Sequence, residues 1–211
     1  MADYDDCPIP GTHRRLEEAH RLWHRAAEAY EDPDEFRTQL NALIQALRNV
    51  TFVLQKEQDA IPDFDAWYER WRDIMKEDGV LRWLVQARNV IVKQGDLETH
   101  STATAGIQAS WDTPQTRTFD VPPLVPTLAV AAKILSEQDI PDDIRKQGFL
   151  TVERRWVAND LPQWEILDAL AHAHGMLTFL VQDAHRQAGK AMDTPRSSFH
   201  LPNVIPSREQ A

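Results

Sequence analysis

The stretch of the chain best suited to binding chemistry is QARNVIVKQGDLET, which runs from Gln86 to Thr99. It places Arg88 and Asn89 inside a predicted helix whose other residues are mostly apolar. Helical spacing puts the Arg88 guanidinium on an apolar stripe made of Leu81, Leu84, Val85, Ile91 and Val92. Because an unpaired buried charge costs several kcal/mol, we expect Arg88 either to meet a carboxylate or to border a hydrated cleft.

A weaker version of this pattern, QALRNVTFVLQK, lies about forty residues earlier and contains Arg48 and Asn49. Residues 36–56 and 79–94 contain no Asp or Glu, although the whole chain has a net charge of -10. If these two helices are neighbours, Arg48 and Asn49 approach Arg88 and Asn89 and form a cationic, amide-rich pocket. Arginine and asparagine bind a phosphate or a nucleotide edge better than a metal, so the sequence predicts no metal ion and no cofactor.

A structural role for Arg88 is the competing interpretation. An arginine in a buried helix can serve as the partner of a carboxylate elsewhere, such as Asp96, Glu98 or one in the C-terminal half. In that case the chain is a purely structural or assembly protein. The spacing alone leaves both interpretations open.

Four helices are predicted in the N-terminal half, and the fourth of them contains Arg88 and Asn89. Thr12 can cap the first helix, which extends to about Tyr30, and Asp32 followed by Pro33 is a strong start signal for the second. The fourth helix has almost no polar face, so we expect it to be the central and most buried one. The second, third and fourth helices are predicted at 33–56, 63–77 and 80–94.

The C-terminal half has a different pattern. Alternation of Ala103, Ala105, Ile107, Ala109 and Trp111 with small polar residues predicts a strand. Four prolines between positions 114 and 126 predict a long connection. A short helix at 128–136, a second strand at 148–157 and a long helix ending near residue 188 follow.

These elements predict a mainly α chain of the α+β class. An N-terminal antiparallel four-helix bundle is joined to a smaller C-terminal part of short strands and one long helix. The predicted organisation is a flexible segment at 1–11, the bundle at 12–95, a mixed part packed on the bundle at 96–189, and a loose tail at 190–211.

Composition restricts the function classes. The net charge of -10 argues against general DNA binding and against an anionic membrane surface, so RNA or a nucleotide would bind a local basic pocket. The single cysteine, Cys7, excludes an intramolecular disulfide within the sequence and fits a reducing compartment. The acidic start and the absence of an apolar run of roughly 18 residues predict a cytoplasmic protein.

The bundle and its Arg-Asn pair resemble the HEPN superfamily, over residues 12–100 at most. Many members are metal-independent ribonucleases or nucleotide-binding partners, and their motif is an Arg, a polar residue and, several residues later, a His on a late buried helix. Arg88 and Asn89 match the first two positions, and Lys93 stands where the histidine is expected. The resemblance therefore implies a non-catalytic helical module that binds a partner protein, a nucleotide or RNA around Arg88.

The resemblance also implies an alternative activity. In the family, two protomers bring Arg and His together at a dimer interface, where they act on the phosphate and on the 2'-hydroxyl. A homodimeric ribonuclease would here use Arg88, Asn89 and Lys93, with His100 a further candidate. Lysine, with an ordinary pKa of roughly 10.4, is a poor base at neutral pH, which favours the non-catalytic interpretation.

Histidines and tryptophans are further candidate site residues. His20 and His24 have the i, i+4 spacing of a metal pair, but this face is expected to be solvated. His172 and His174 point to different sides of a helix, so core or interface roles are expected for them. The tryptophans at helical and strand core positions are expected to pack in the core rather than stack on bases.

Overall fold

The computed structural model describes residues 6–108, 115–122, 124–137 and 149–190. Within these ranges the chain forms six α-helices and a small antiparallel sheet, which confirms the predicted α+β class. The elements are α1 Pro10–Glu28, α2 Pro33–Lys56, α3 Phe64–Glu77, α4 Gly79–Lys93, β1 Thr99–Gln108, β2 Gln115–Val121, α5 Thr127–Glu137, β3 Phe149–Ala158 and α6 Ile166–Gln187. Ala109, Trp111 and the predicted tail from residue 191 onward lie outside the described residues.

Side-chain caps from the preceding residue fix the starts of α2 and α4. Asp32 accepts a hydrogen bond from the Glu35 backbone N–H at 3.2 Å, and Pro33 occupies the first turn of α2 as predicted. Asp78 caps α4 by accepting from Leu81 N–H at 2.8 Å. Each cap satisfies a backbone donor that has no partner within its own helix.

The start of α1 differs from the prediction that Thr12 caps it. The helix begins at Pro10, and Thr12 is fully buried within its first turn. The cap comes from Glu57, just after α2, whose carboxylate accepts from Gly11 N–H at 2.7 Å, Thr12 N–H at 2.9 Å and Thr12 Oγ1–H at 2.6 Å. A carboxylate distant in sequence thus replaces the local cap, and it also complements the positive end of the helix dipole.

The bundle core is built from α1, α2, α4 and α6, with α3 packed against α4. The expectation that α4 is the most buried helix is wrong, because Val85 and Val92 are 39% and 49% exposed. Helices α2 and α6 carry the larger sets of buried residues. The apolar character of α4 did not reveal that one of its faces is left uncovered by the other helices.

The sheet has the strand order β2-β1-β3, with both pairings antiparallel. Strands β1 and β3 match the two predicted strands, and α5 matches the predicted short helix. Strand β2 lies where the prolines predicted only a long connection. Ala103, Val121 and Val130 form a second small core between the sheet and α5.

Trp156 on β3 joins the sheet to the bundle. Its ring packs 5.1 Å from that of Phe36, and its indole N–H donates to the Tyr30 carbonyl at 3.1 Å. Behind it, the buried Arg154 guanidinium lies 4.0 Å from the Trp156 ring and donates to Ser101 Oγ at 2.9 Å. These contacts hold the sheet at the end of the bundle near the turn between α1 and α2.

Candidate ligand-binding cleft

A cleft of about 810 Å³ opens between α2, α3 and α4. Its floor is apolar and includes Leu47, Leu84 and Leu177 from three different helices. Polar and aromatic side chains form the walls. These are Arg48, Thr51, Phe52, Gln55, Gln58, Phe64, Asp65, Tyr68, Arg72, Lys76, Arg82 and Gln86.

The walls of the cleft are cationic. Arg48, Arg72, Lys76 and Arg82 face a single lining carboxylate, that of Asp65, so the formal charge of the lining is +3. Lys76 is also paired with Asp73, which lies outside the lining set, at 2.9 Å. In a chain of net charge -10, this cleft therefore concentrates positive charge.

Arg48 is the most enclosed of these cations. Its guanidinium contacts the Thr51 hydroxyl and lies 4.3 Å from the centroid of the Phe52 ring. Burial lowers the pKa of Arg48, the neighbouring Arg88 lowers it further, and Tyr68 opposes that shift. The charge is thus held by an aromatic face and a hydroxyl, without a carboxylate in these contacts.

Arg88 is half-buried beside the same ring, with its guanidinium carbon 5.9 Å from the Phe52 centroid. It donates to the Asn89 side-chain oxygen at 3.4 Å. The carboxylates named as structural partners are engaged elsewhere, since Asp96 contacts Arg37 and Asn41, and Glu98 contacts Asn159. Among the described residues, no carboxylate forms an ion pair with Arg88.

The residues proposed from sequence are therefore only partly brought together. Arg48 lines the cleft, and Arg88 borders it through Phe52. Asn49, Asn89 and Lys93 are not among the lining residues, and Lys93 is exposed at the end of α4. His100 lies on β1, where its Nδ1 is 2.8 Å from the Asn159 side-chain oxygen.

Sequence reasoning missed the contribution of α3. Phe64 and Tyr68 stack with their ring centroids 5.1 Å apart and their planes 14° apart. Gln55 donates to the Tyr68 hydroxyl at 3.3 Å, and burial raises the pKa of Tyr68. The spacing of Phe64, Tyr68 and Arg72 at i, i+4 and i+8 was the available signal for one functional face.

Trp67, Trp71 and Trp83 have core roles in the bundle, as predicted. Trp67 and Trp71 both donate to Asp183 Oδ2, at 2.9 Å and 2.8 Å, and Trp83 donates to Asp160 at 2.7 Å. Trp67 and Trp83 are 1% and 4% exposed. Their polar atoms are satisfied within the protein, as expected for buried indoles.

The histidines of α1 and α6 meet at what we call the α1–α6 seam, formed by Leu16, His20, Trp23, Leu167 and His174. Trp23 donates to the Leu167 carbonyl at 3.0 Å, and His174 Nε2 lies 3.3 Å from the Leu16 carbonyl. The His20 ring packs 5.5 Å from that of His174, so the expected fully solvated face is wrong for His20. Burial lowers the pKa of His174 to about 4, so its ring is neutral near pH 7.

His172 lies on a different side of α6, as predicted. Its Nε2 is 2.7 Å from Asp78 Oδ2, on the residue that also caps α4. This contact holds the start of α4 against α6. It is an interface histidine with a structural partner.

A separate group of side chains has the composition of a metal site. Cys7, His13 and His185 each offer one ligand atom, and these atoms lie within 4.8 Å of one another. None of the three lines the cleft. Burial raises the pKa of Cys7 and lowers that of His13.

The helices in the described part of the chain do not resemble membrane spans. None of these helices combines the length and the apolar character that a bilayer crossing requires.

Comparison with known proteins gives one consistent result. A family model described as bacteriophage lambda protein ea47 matches residues 1–206. Protein ea47 of Escherichia phage lambda is 34% identical over 170 residues, which cover 78% of this chain and 40% of that protein. The match thus spans less than half the length of this curated relative. No solved structure matches.

The HEPN resemblance is wrong, since the family that matches nearly the whole chain is a different one. An Arg-Asn pair on an apolar helix is a short pattern. A pattern of two residues is too short to identify a family.

Proposed function

The chain belongs to the bacteriophage lambda protein ea47 family, and we propose that it binds a phosphate-bearing ligand of nucleotide size in the cleft. The observation that carries the proposal is the +3 lining charge of this cleft in a chain of net charge -10. The ligand is either a free nucleotide or the phosphorylated end of an RNA strand, because both present the same chemistry to the cleft.

The electrostatic environment of Arg48 favours an anion. Its guanidinium is half-buried, and Arg88 is close enough to lower its pKa. A phosphate between cationic walls would offset both the desolvation and the mutual repulsion of these groups. Arginine is suited to this role because its planar donors can bind two phosphate oxygens together.

The remaining lining suits the nonionic part of such a ligand. Leu47, Leu84 and Leu177 provide an apolar floor, and the stacked Phe64 and Tyr68 rings provide an aromatic wall. Side-chain amides such as that of Gln86 can pair with polar edges of a base or sugar. The volume of about 810 Å³ falls within the range typical of small-molecule sites.

The lining favours binding over catalysis. It contains no histidine, cysteine or glutamate, and its one carboxylate belongs to the exposed Asp65. A general base near neutral pH is therefore lacking among the lining residues. The ribonuclease alternative that used Arg88, Asn89 and Lys93 depended on the HEPN resemblance and is not carried forward.

The proposed cleft is described from the residues of one chain. A homodimer stays a prediction, as does a cytoplasmic location. A protein partner bound through the same cleft is the competing possibility.

Isothermal titration calorimetry tests the proposal with three probes: inorganic phosphate, ADP and a 5'-phosphorylated RNA tetranucleotide. We compare wild type, Arg48→Gln and Arg82→Gln with Arg21→Gln, an exposed α1 residue whose replacement makes the same change in net charge. Since a hydrogen bond to a charged group contributes about 1.5–3 kcal/mol, each cleft variant should bind at least about tenfold more weakly. Arg21→Gln should bind like wild type.

The probes also separate the alternatives. Tighter binding of the tetranucleotide than of ADP identifies an RNA end, and the reverse identifies a free nucleotide. Equal losses in Arg21→Gln and Arg48→Gln would show general charge attraction and overturn the site. Binding of an acidic peptide with none of the three probes bound would replace the proposal with a protein partner.

A further inference from the structure

Three potential metal ligands converge from distant parts of the chain. Cys7 precedes α1, His13 lies in its first turn, and His185 is near the end of α6. Cys7 Sγ is 3.2 Å from His185 Nε2 and 3.9 Å from His13 Nδ1. A thiol and two imidazoles thus surround one point, although Cys7 and His185 are 178 positions apart.

We propose that Cys7, His13 and His185 bind one zinc ion, which fastens the residues before α1 to the end of α6. Zinc favours a donor set of one thiolate and two imidazoles, whereas magnesium and calcium prefer oxygen ligands. This site is separate from the cleft, and its existence does not depend on the proposed function.

The ligand spacing fits a tetrahedral ion. With Zn–S near 2.3 Å and Zn–N near 2.0–2.1 Å, tetrahedral angles place the sulfur and each nitrogen about 3.5 Å apart. The sulfur–nitrogen distances of 3.2 Å and 3.9 Å lie on either side of that value. The three ligand atoms all lie within 4.8 Å of one another, so His13 must move toward the other two ligands for all three to reach one ion.

The orientation of His185 favours ligation through Nε2. Its other ring nitrogen, Nδ1, is 2.8 Å from the Val181 carbonyl, to which it can donate. That hydrogen bond leaves the Nε2 lone pair directed toward Cys7, which is the usual arrangement of a metal-binding histidine. His185 is only 4% exposed, so packing within α6 also holds its ring in place.

The surroundings fix the other two ligands. Ile9, two residues after Cys7, is fully buried, and the Glu57 carboxylate accepts from the backbone N–H groups of Gly11 and Thr12, the two residues just before His13. Lys190 contacts the backbone carbonyl of Asp6, which draws the chain just before Cys7 toward the end of α6. With three protein ligands, the fourth position of the tetrahedron is left for water.

A hydrogen-bonded Cys–His pair without metal is the alternative for the same geometry. That arrangement requires only Cys7 and His185. His13 also approaches the same sulfur and packs edge-on against His185 with the ring centroids 5.6 Å apart, and a zinc site would use all three side chains. His13 therefore distinguishes the two possibilities.

The test uses the full chain without an affinity tag, kept reduced and stripped with a chelator. Zinc content is measured after reconstitution with zinc alone, and cobalt replaces zinc for spectroscopy, because a thiolate ligand gives cobalt a charge-transfer band in the near ultraviolet. We expect one ion per chain and that band in wild type. Zinc binding should also raise the melting temperature, since the metal binds the folded state alone.

Cys7→Ser and His13→Gln are the ligand variants, and His24→Gln is the matched control on the same helix. Replacing a group that merely supports a ligand costs 10–100-fold in metal affinity, so removing a ligand should cost at least about 100-fold. Cys7→Ser should also abolish the charge-transfer band, and His24→Gln should leave both measurements unchanged. Circular dichroism confirms that each variant is folded.

Four outcomes would overturn the proposal. They are zinc content near zero in wild type, no charge-transfer band with cobalt, wild-type affinity in His13→Gln, and equal losses in His13→Gln and His24→Gln. Wild-type affinity in His13→Gln would leave the simple Cys–His pair. Because none of these residues lines the cleft, ADP or RNA binding should be the same in all variants, which keeps this test independent of the proposed function.

Discussion

The α1–α6 seam and the cleft both collect polar side chains from separate helices, but they differ in how those groups are partnered. In the seam, Trp23 meets the Leu167 carbonyl and His174 meets the Leu16 carbonyl. In the cleft, four cationic side chains line the walls with one carboxylate. A buried polar group that is satisfied internally stabilises the fold, whereas an excess of one charge is better suited to an external ligand.

From this comparison, the substitution with the largest effect on stability is expected in the seam. Trp23→Ala should lower the free energy of unfolding by about 3–5 kcal/mol. The Trp23 side chain is only 3% exposed, so its removal leaves a buried cavity. Trp23→Phe keeps most of the packing but leaves the Leu167 carbonyl without this donor, so it should cost about 1 kcal/mol. Urea denaturation measures both values. A loss below 1 kcal/mol for Trp23→Ala would show that the seam does not support the bundle.

The second prediction concerns the pH dependence of stability near the same seam. Burial raises the pKa of Glu165 to about 7, so the folded chain keeps a proton that the unfolded chain releases near pH 4.5. The contribution of Glu165 to stability should therefore fall as pH rises from about 4.5 to about 7. His174 acts in the opposite direction, because its folded pKa of about 4 makes its contribution rise with pH up to about 6.5.

Glu165→Gln separates these two contributions. Gln can still accept from the Leu167 and Asp168 N–H groups that Glu165 caps, but it does not titrate. Between pH 4.5 and 7, the variant should gain stability relative to wild type by an amount on the order of 2 kcal/mol. Denaturation curves at several pH values measure it, and parallel pH profiles for the two proteins would contradict the shift.

The smallest effect on stability is expected in the cleft. Arg48→Gln should change the free energy of unfolding by less than about 1 kcal/mol, because the loss of its contact with Phe52 is offset by relief of repulsion from Arg88. The same urea denaturation used for Trp23 measures it. A loss as large as that of Trp23→Ala would make Arg48 a structural residue and remove the contrast between the two regions.

Much of the fold was predictable from periodicity and helix end signals. The start of α2 at Asp32–Pro33, strands β1 and β3, and helix α5 follow from local preferences that the chain expresses over a few residues. The cap of α1 was not predictable, because its acceptor is Glu57, on the far side of α2. Strand β2 was missed since prolines on both sides of it obscured a short pattern.

The candidate site was also predicted only in part, because the composition of single helices revealed some of its residues and concealed others. The carboxylate-free stretches 36–56 and 79–94 indicated Arg48 and Arg88, and both lie around Phe52. Tyr68 and Arg72 were missed because their helix also carries acidic residues, so it showed no anomaly in composition. The approach of Cys7 to His185 had no local signal at all.

The sequence by itself determined the helical bundle with a small sheet, the scarcity of carboxylates on α2 and α4, and a cationic feature near Arg48 and Arg88. These properties depend on residue types and on spacing within single elements, which are readable along the chain. Only the tertiary structure decided that α4 leaves a face uncovered, that α3 completes the cleft, and that Cys7 meets His185. Those outcomes depend on how whole helices pack, because burial and contact between distant residues are set by all the surfaces that compete to cover one another.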